Sequence, residues 1–186
     1  MTMMLNRRRI IVLDGPDMCG KTQIGKRLAK ETGFVYFKND MERGAFGSAS
    51  AEEYFTNTLK YGLGYFLSFL RQAPDVSVIF DRCYPTEWVY AKAFSRKTDW
   101  ECLLHTDMEF TRLRADMIFT RRKSYEGIVD DTHPHLIDSA RLVQLDGLYA
   151  QFSDVWTSVR NKTLWVDDED LDREMREIYD YLKATE

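Results

Sequence analysis

The run Gly15-Pro16-Asp17-Met18-Cys19-Gly20-Lys21-Thr22 satisfies the pattern G-x-x-x-x-G-K-[ST]. Its composition follows from the chemistry of holding phosphate. Glycines let backbone N–H groups turn toward phosphate oxygens, and a helix starting at the end of the run adds its positive N-terminus. Lys21 is placed to reach the β- and γ-phosphates, and the Thr22 hydroxyl to ligate Mg2+. Gly15, Pro16, Met18, Cys19, Gly20, Lys21 and Thr22 are therefore the expected phosphate contacts, with ATP and Mg2+ as the expected cofactors. Asp17 stands apart from this set. A carboxylate inside an anion-binding loop repels phosphate unless it faces away, so Asp17 is expected to face an acceptor molecule, a solvent-facing loop position being the alternative.

Such a loop works only between a strand and a helix, and the flanking sequence supplies both. Ile10 to Leu13 reads as a strand buried on both faces, and Gln23 to Thr32 as a helix with Gly33 at its end. Further strands are expected at 34–37, 76–80, 117–119 and 163–166. Helices are expected from a capping box at Ser50 and Glu53 to about Arg71, at 86–94, 100–114, 136–159 and 168–183. Short apolar strands alternating with helices predict an α/β fold: a three-layer parallel sheet of five strands with helices on both faces. Ligands in such sheets sit at the carboxyl ends of the strands. Asp14, Gly15, Lys38, Asp81, Arg82 and Arg121 all fall at those ends. The 186 residues read as a single domain without repeats or linkers.

On these residues the chain resembles the thymidylate kinase branch of P-loop nucleotide kinases, in a phage-type form. The phosphate loop carries an acid two places after its first glycine, as in that family's G-x-[DE]-x-x-G-K-[ST]. A later strand ends in Asp81-Arg82, and Arg121-Arg122-Lys123 occupies the place of a short lid, residues 121–135. The resemblance implies that Asp81 helps hold magnesium or the acceptor, that Arg82 binds the acceptor phosphate, and that Arg121 and Arg122 clasp the transferring phosphoryl group. Lys21, Asp81, Arg82, Arg121 and Arg122 form the expected catalytic set, with Thr22 and Asp81 at the metal. The bland readings are an internal Asp81–Arg82 ion pair and a solvated basic turn at 121–123.

Departures from the family pattern bear on the acceptor. The family's F-x-R-E-P is replaced by Phe37-Lys38-Asn39-Asp40, which leaves Lys38 in place of the phosphate-gripping arginine. Lysine lacks the bidentate fork of arginine. The helix before the Asp-Arg strand offers Lys60, Tyr61, Tyr65 and Phe69 where the family has an arginine, and Asp-Arg-Tyr has become Asp81-Arg82-Cys83-Tyr84. The expected acceptor contacts are thus Asp17, Lys38, Asp40, Lys60, Tyr61, Tyr65 and Tyr84. Of the aromatic group Phe37, Phe46, Tyr61, Tyr65, Tyr84, Trp88 and Tyr90, one or two are expected on a base and the rest in the core.

Two acceptor chemistries follow. The leading one is a deoxynucleoside monophosphate, thymidylate-like. The other is a hydroxyl, on a nucleoside or on a 5-hydroxymethyluracil base in DNA, which needs a nearby carboxylate such as Asp81 or Asp40. A nucleotide-hydrolysing switch would want N-K-x-D or an Asp-Glu pair after the third strand, and the sequence has neither.

Bulk properties narrow the setting. Hydrophobic residues at 44% with a net charge of −4 describe a globular chain and argue against a broad nucleic-acid-coating surface. Cys19, Cys83 and Cys102 have neither metal-ligand nor disulfide-framework spacing, and His133-Pro134-His135 shows no metal spacing. The first residues carry charge without an apolar stretch, and about 18 consecutive apolar residues occur nowhere. The expected setting is cytoplasmic and away from membranes. A homodimer through the aromatic-rich helix from Tyr54 is weighed against core burial of the same residues.

Overall fold

The computed structural model describes residues 8–39, 57–128, 137–156, 163–167 and 170–185. Asp40, Phe46, the Ser50–Glu53 capping box, much of the lid and His133-Pro134-His135 lie outside them.

Five parallel strands form one sheet in the order β2-β3-β1-β4-β5. They are β1 (Ile10–Asp14), β2 (Val35–Lys38), β3 (Val78–Asp81), β4 (Asp116–Arg121) and β5 (Thr163–Asp167). The three central strands are apolar on both sides, as strands covered by helices on both faces must be. Alternate residues divide the core. Ile10, Val12, Val78, Phe80, Met117 and Phe119 face one helical layer, and Ile11, Leu13, Ile79, Ile118 and Val166 face the other.

The second of these layers holds α1 (Lys21–Thr32) and α6 (Leu171–Ala184). The first holds α2 (Gly64–Gln72), α3 (Tyr84–Ala93), α4 (Trp100–Arg112) and α5 (Ser139–Val155). Helix ends follow local chemistry. Gly33 closes α1 in the left-handed conformation, and Asp99, Asp138 and Asp170 cap α4, α5 and α6 with their side chains. The expected helix to Arg71 differs in one respect: Thr58–Leu63 is a π-helical turn ahead of α2. Gly62 and Gly64 lie where the two geometries meet, and glycine tolerates such a change of winding most easily.

One polar pair is sealed under the sheet. Arg9 forms an ion pair with Asp116 at 3.1 Å, both fully buried, and also donates to Thr185 Oγ1 at 3.0 Å and to the Leu182 carbonyl. It joins the entry of β1 to β4 and to the end of α6. Asp116→Ala leaves the guanidinium buried without its counter-charge. The expected loss is about 3–5 kcal/mol in urea unfolding; a loss below about 1 kcal/mol would mean that the carbonyl and hydroxyl acceptors alone satisfy Arg9.

Candidate active site

The carboxyl rim of the sheet gathers the predicted polar residues because the register fixes which strand ends lie side by side. Leu13 pairs with Asp81, Lys38 pairs with the same Asp81, Asp14 pairs with Phe119, and Arg121 pairs with Asp167. The phosphate loop leaves β1 at the middle of this rim. Gly15 takes φ 134, and a Cβ there would stand 2.2 Å from the Thr120 carbonyl oxygen, so only glycine fits between β1 and β4. Met18 and Gly20 also adopt positive φ, as a loop that turns successive N–H groups to one side requires. Gly20 ends the loop, and α1 begins at Lys21, whose buried ammonium donates to the Pro16 carbonyl.

Thr22 and Asp81 meet across the rim, the hydroxyl donating to Asp81 Oδ2 at 2.6 Å. Tyr36, on β2, donates to the same oxygen at 2.5 Å. A hydroxyl and a carboxylate at the start of α1 form an oxygen-only donor set. Mg2+ prefers such sets and completes its shell with water and phosphate oxygens, so Thr22 and Asp81 fit the ion.

The Asp17 carboxylate is taken up by two donors from the β3–α3 segment. Arg82 and the Tyr90 hydroxyl both donate to it, and the Arg82 guanidinium also lies 5.6 Å from the Tyr90 ring centre. Burial works against the charge of Arg82, yet Tyr90, Tyr149 and Asp14 around it hold its pKa above the ordinary arginine value. The Asp81–Arg82 ion pair weighed as a bland alternative is not what forms: Arg82 binds Asp17, and Asp81 binds the hydroxyls of Thr22 and Tyr36.

The two lid arginines separate. Arg122 donates to the Met18 carbonyl and so touches the phosphate loop. Arg121 donates to Asp146 at 2.8 Å and packs 5.1 Å from the Trp165 ring centre, on the β4–β5 side. Tyr125 links the lid to both neighbours. Its hydroxyl donates to Asp146 at 3.2 Å, lies 3.6 Å from Cys19 Sγ and accepts from the Arg122 N–H at 3.3 Å. A cleft of about 540 Å³ opens beside them, lined by Arg121, Arg122, Tyr125, Val143 and Asp146 among others.

Tyr84 corrects the expected acceptor set. Its ring is fully buried, stacked on Phe110 at 5.4 Å, and its hydroxyl donates to Asp107 at 2.6 Å. Placed at the start of α3, it points into the core beneath the sheet's first helical layer. Tyr61 and Tyr65 face solvent at 65% and 81% exposure, Lys60 lies over the Tyr61 ring, and Lys38 is exposed at the end of β2. Phe37 stacks on Phe66 at 5.1 Å as part of an aromatic group reaching Phe80.

Sequence reasoning placed Asp14 at the rim without a role, counted Tyr90 in an aromatic group of which one or two would meet a base, and missed Tyr36, Thr86, Tyr125, Asp146 and Tyr149. Only Asp14 carried a signal, a charged residue ending an otherwise apolar strand directly before the loop glycine. Burial pushes its carboxyl above the usual aspartate range, against hydrogen bonds from Thr86, the charge of Arg82, and hydrogen bonds from Tyr149 and Gly15.

No protein-family profile and no curated protein matches the chain. Solved structures do. One is the YorR protein of Bacillus subtilis in complex with phosphorylated GDP, 18% identical over 95% of this chain and 96% of that one, with a TM-score of 0.60. Another is deoxyadenosine kinase from M. mycoides with the products dCMP and dCDP, 19% identical over 94% and 99%, TM-score 0.59. A third is thymidylate kinase from Candida albicans, 12% identical over 96% and 92%, TM-score 0.56. The fold is that of the P-loop kinases, with the five-stranded parallel sheet and helices on both faces that the sequence predicts. Among the described residues no helix is long and apolar enough to cross a membrane.

The division between the lid arginines gives a kinetic expectation. Arg122→Ala should lower kcat by about 10²-fold with little change in the KM for ATP, as loss of a group acting on developing charge does. Arg121→Ala should instead raise that KM. Equal effects of both substitutions on kcat would show that the two side chains act together.

Proposed function

We propose that this chain is an ATP- and magnesium-dependent phosphotransferase whose acceptor is a nucleoside-type molecule phosphorylated on a hydroxyl. The observation that carries the hydroxyl is the Asp17–Arg82–Tyr90 cluster. Arg82 is the cation that would grip an acceptor phosphate, and a carboxylate already offsets its charge. That same carboxylate, on the loop expected to hold phosphate, suits the hydrogen of a hydroxyl. Kinship in fold with a deoxyadenosine kinase supports a nucleoside.

Each residue then has a role. The loop N–H groups and Lys21 bind the β- and γ-phosphates. Thr22 and Asp81 hold Mg2+, which neutralises charge on the phosphate oxygens when bound. Asp17 accepts the hydrogen bond of the acceptor hydroxyl and aims its oxygen at the γ-phosphorus. The new O–P bond forms as the bond to the β–γ bridging oxygen breaks and ADP leaves, while the hydroxyl proton passes late to Asp17 and from there to solvent. Arg122 lies against the loop, where negative charge grows on the equatorial oxygens. Phosphoryl transfer through a loose transition state needs positioning and cations more than a strong base. Arg121 at the end of β4, with Trp165 from the middle of β5 against it, suits the base of ATP.

A second reading keeps a deoxynucleoside monophosphate, thymidylate-like, as acceptor. Lys38 beside Asp81 favours it, as an exposed cation on the same rim. The solvent-facing Tyr61, Tyr65 and Phe69 favour a homodimer on either reading.

A panel of free deoxynucleosides, deoxynucleoside monophosphates, and plain and hydroxymethyluracil-containing DNA tests the acceptor by following ADP release with Mg2+. Label on a nucleoside or on modified DNA is the expected result. Rapid turnover with one monophosphate alone would replace it by the second reading, and ATP turnover indifferent to every acceptor would point to a hydrolytic switch. Lys21→Ala and Asp81→Asn should each lower transfer by at least about 10²-fold. A rate for Asp81→Asn within a few-fold of the parent would make that residue structural.

A further inference from the structure

Asp14 is a fully buried carboxylate surrounded by donors. Its Oδ1 accepts from the Gly15 N–H at 2.9 Å, the Thr86 hydroxyl at 2.6 Å and the Tyr149 hydroxyl at 2.8 Å. Its Oδ2 accepts from the Cys83 N–H at 3.0 Å and the Thr86 N–H at 3.3 Å. These donors come from the first residue of the phosphate loop, the start of α3 and the middle of α5. One side chain thus ties together the elements that carry Asp17 and Arg82.

Arg82 hangs between two fixed points. Its own N–H donates to the Leu13 carbonyl at 2.9 Å, and the next N–H along the chain, that of Cys83, donates to Asp14. Between them Arg82 takes φ 68. Residues with a Cβ seldom adopt this left-handed conformation, and they keep it only where the surroundings over-determine it. The kink lies where the chain leaves the rim of β3, and the guanidinium beyond it reaches the phosphate loop at Asp17.

We propose that Asp14 is a positioning residue that fixes Arg82 relative to the phosphate loop, and so aligns the acceptor with the transferring phosphate. The alignment clause rests on the role of Asp17 proposed above, whose carboxylate Arg82 holds. Asp14 also serves α3 as a remote cap, because the N-cap residue Cys83 makes no side-chain capping bond. Capping alone would affect stability without moving Arg82, which makes the two roles separable. Asparagine cannot replace the carboxylate. Both oxygens of Asp14 accept from backbone N–H groups, which cannot reverse, so either orientation of an amide sets its NH2 against one of them.

The test uses the full chain with side-chain arginine nitrogen NMR, the Arg82 signal being identified by its absence in Arg82→Lys. In folded Asp14→Asn the Arg82 signal is expected to shift or broaden. Magnesium-dependent ATP turnover, with the best panel acceptor or with water alone, is expected to fall about 10- to 100-fold, with the KM for ATP within about threefold. Asp14→Asn combined with Arg82→Lys should lose no more than Arg82→Lys alone, because both remove the same alignment. An unmoved Arg82 signal, or losses that simply multiply, would overturn the proposal. If Asp14→Asn does not fold, Tyr149→Phe and Thr86→Val each delete one hydroxyl donor. They should move the Arg82 signal with a several-fold loss, and an unmoved signal in both overturns the proposal equally. The NMR signal depends on no assumed reaction. A displaced Arg82 with undiminished turnover would uphold the positioning and overturn the alignment of the acceptor through Arg82 and Asp17.

Discussion

Strand β1 has no free edge. It is hydrogen-bonded to β3 on one side and β4 on the other, and its residues are buried on both faces. Its direction and end point are therefore fixed by four covers at once, two strands and two helical layers, and the phosphate loop begins where that constraint stops. The contact between Gly15 and Thr120 is the tightest expression of it, since β4 passes so close to the loop that a single methyl group has no room. Everything at the rim inherits its position from this arrangement. Thr22 meets Asp81 because β1 and β3 are in register, and Arg122 reaches Met18 because β4 runs past the loop on the other side.

The charges around the loop are arranged in pairs with different tasks. Asp81 is bound by hydroxyls alone, which leaves its negative charge available to a cation. Asp17 is bound by a guanidinium and a phenol, so its charge is offset by the Arg82 cation. Arg121 is matched by Asp146, whereas Arg122 reaches across to the Met18 carbonyl on the loop after β1. Groups held in place before reaction need little rearrangement during it, which is how electrostatic stabilisation becomes effective.

Much of this was legible in the chain itself. The G-x-x-x-x-G-K-[ST] run is local, and a local motif needs only its own strand and helix to be recognised. Apolar runs such as Ile10 to Leu13 and Val78 to Phe80 announce buried strands because such strands tolerate few polar side chains. Charged residues closing those runs then fall at the ligand-binding rim for the topological reason that all strands are parallel. The π-helical turn at Thr58–Leu63 was not legible, since its apolar spacing is close to that of an ordinary helix.

The sequence by itself determined the layered fold, the glycine-bearing loop between β1 and α1, and the presence of Asp81, Arg82, Arg121 and Arg122 on one rim. Only the tertiary structure decided who meets whom. Tyr84 looked like an acceptor contact by its distance from Asp81, yet the rotation of α3 buries it against Phe110. Tyr36, Tyr90 and Tyr149 looked like core or stacking residues, and each instead donates to a carboxylate brought from far along the chain. Spacing along the sequence specifies a face and a strand end. Pairing between side chains depends on register, helix rotation and backbone kinks such as that at Arg82, which are set by the packing of all the elements together.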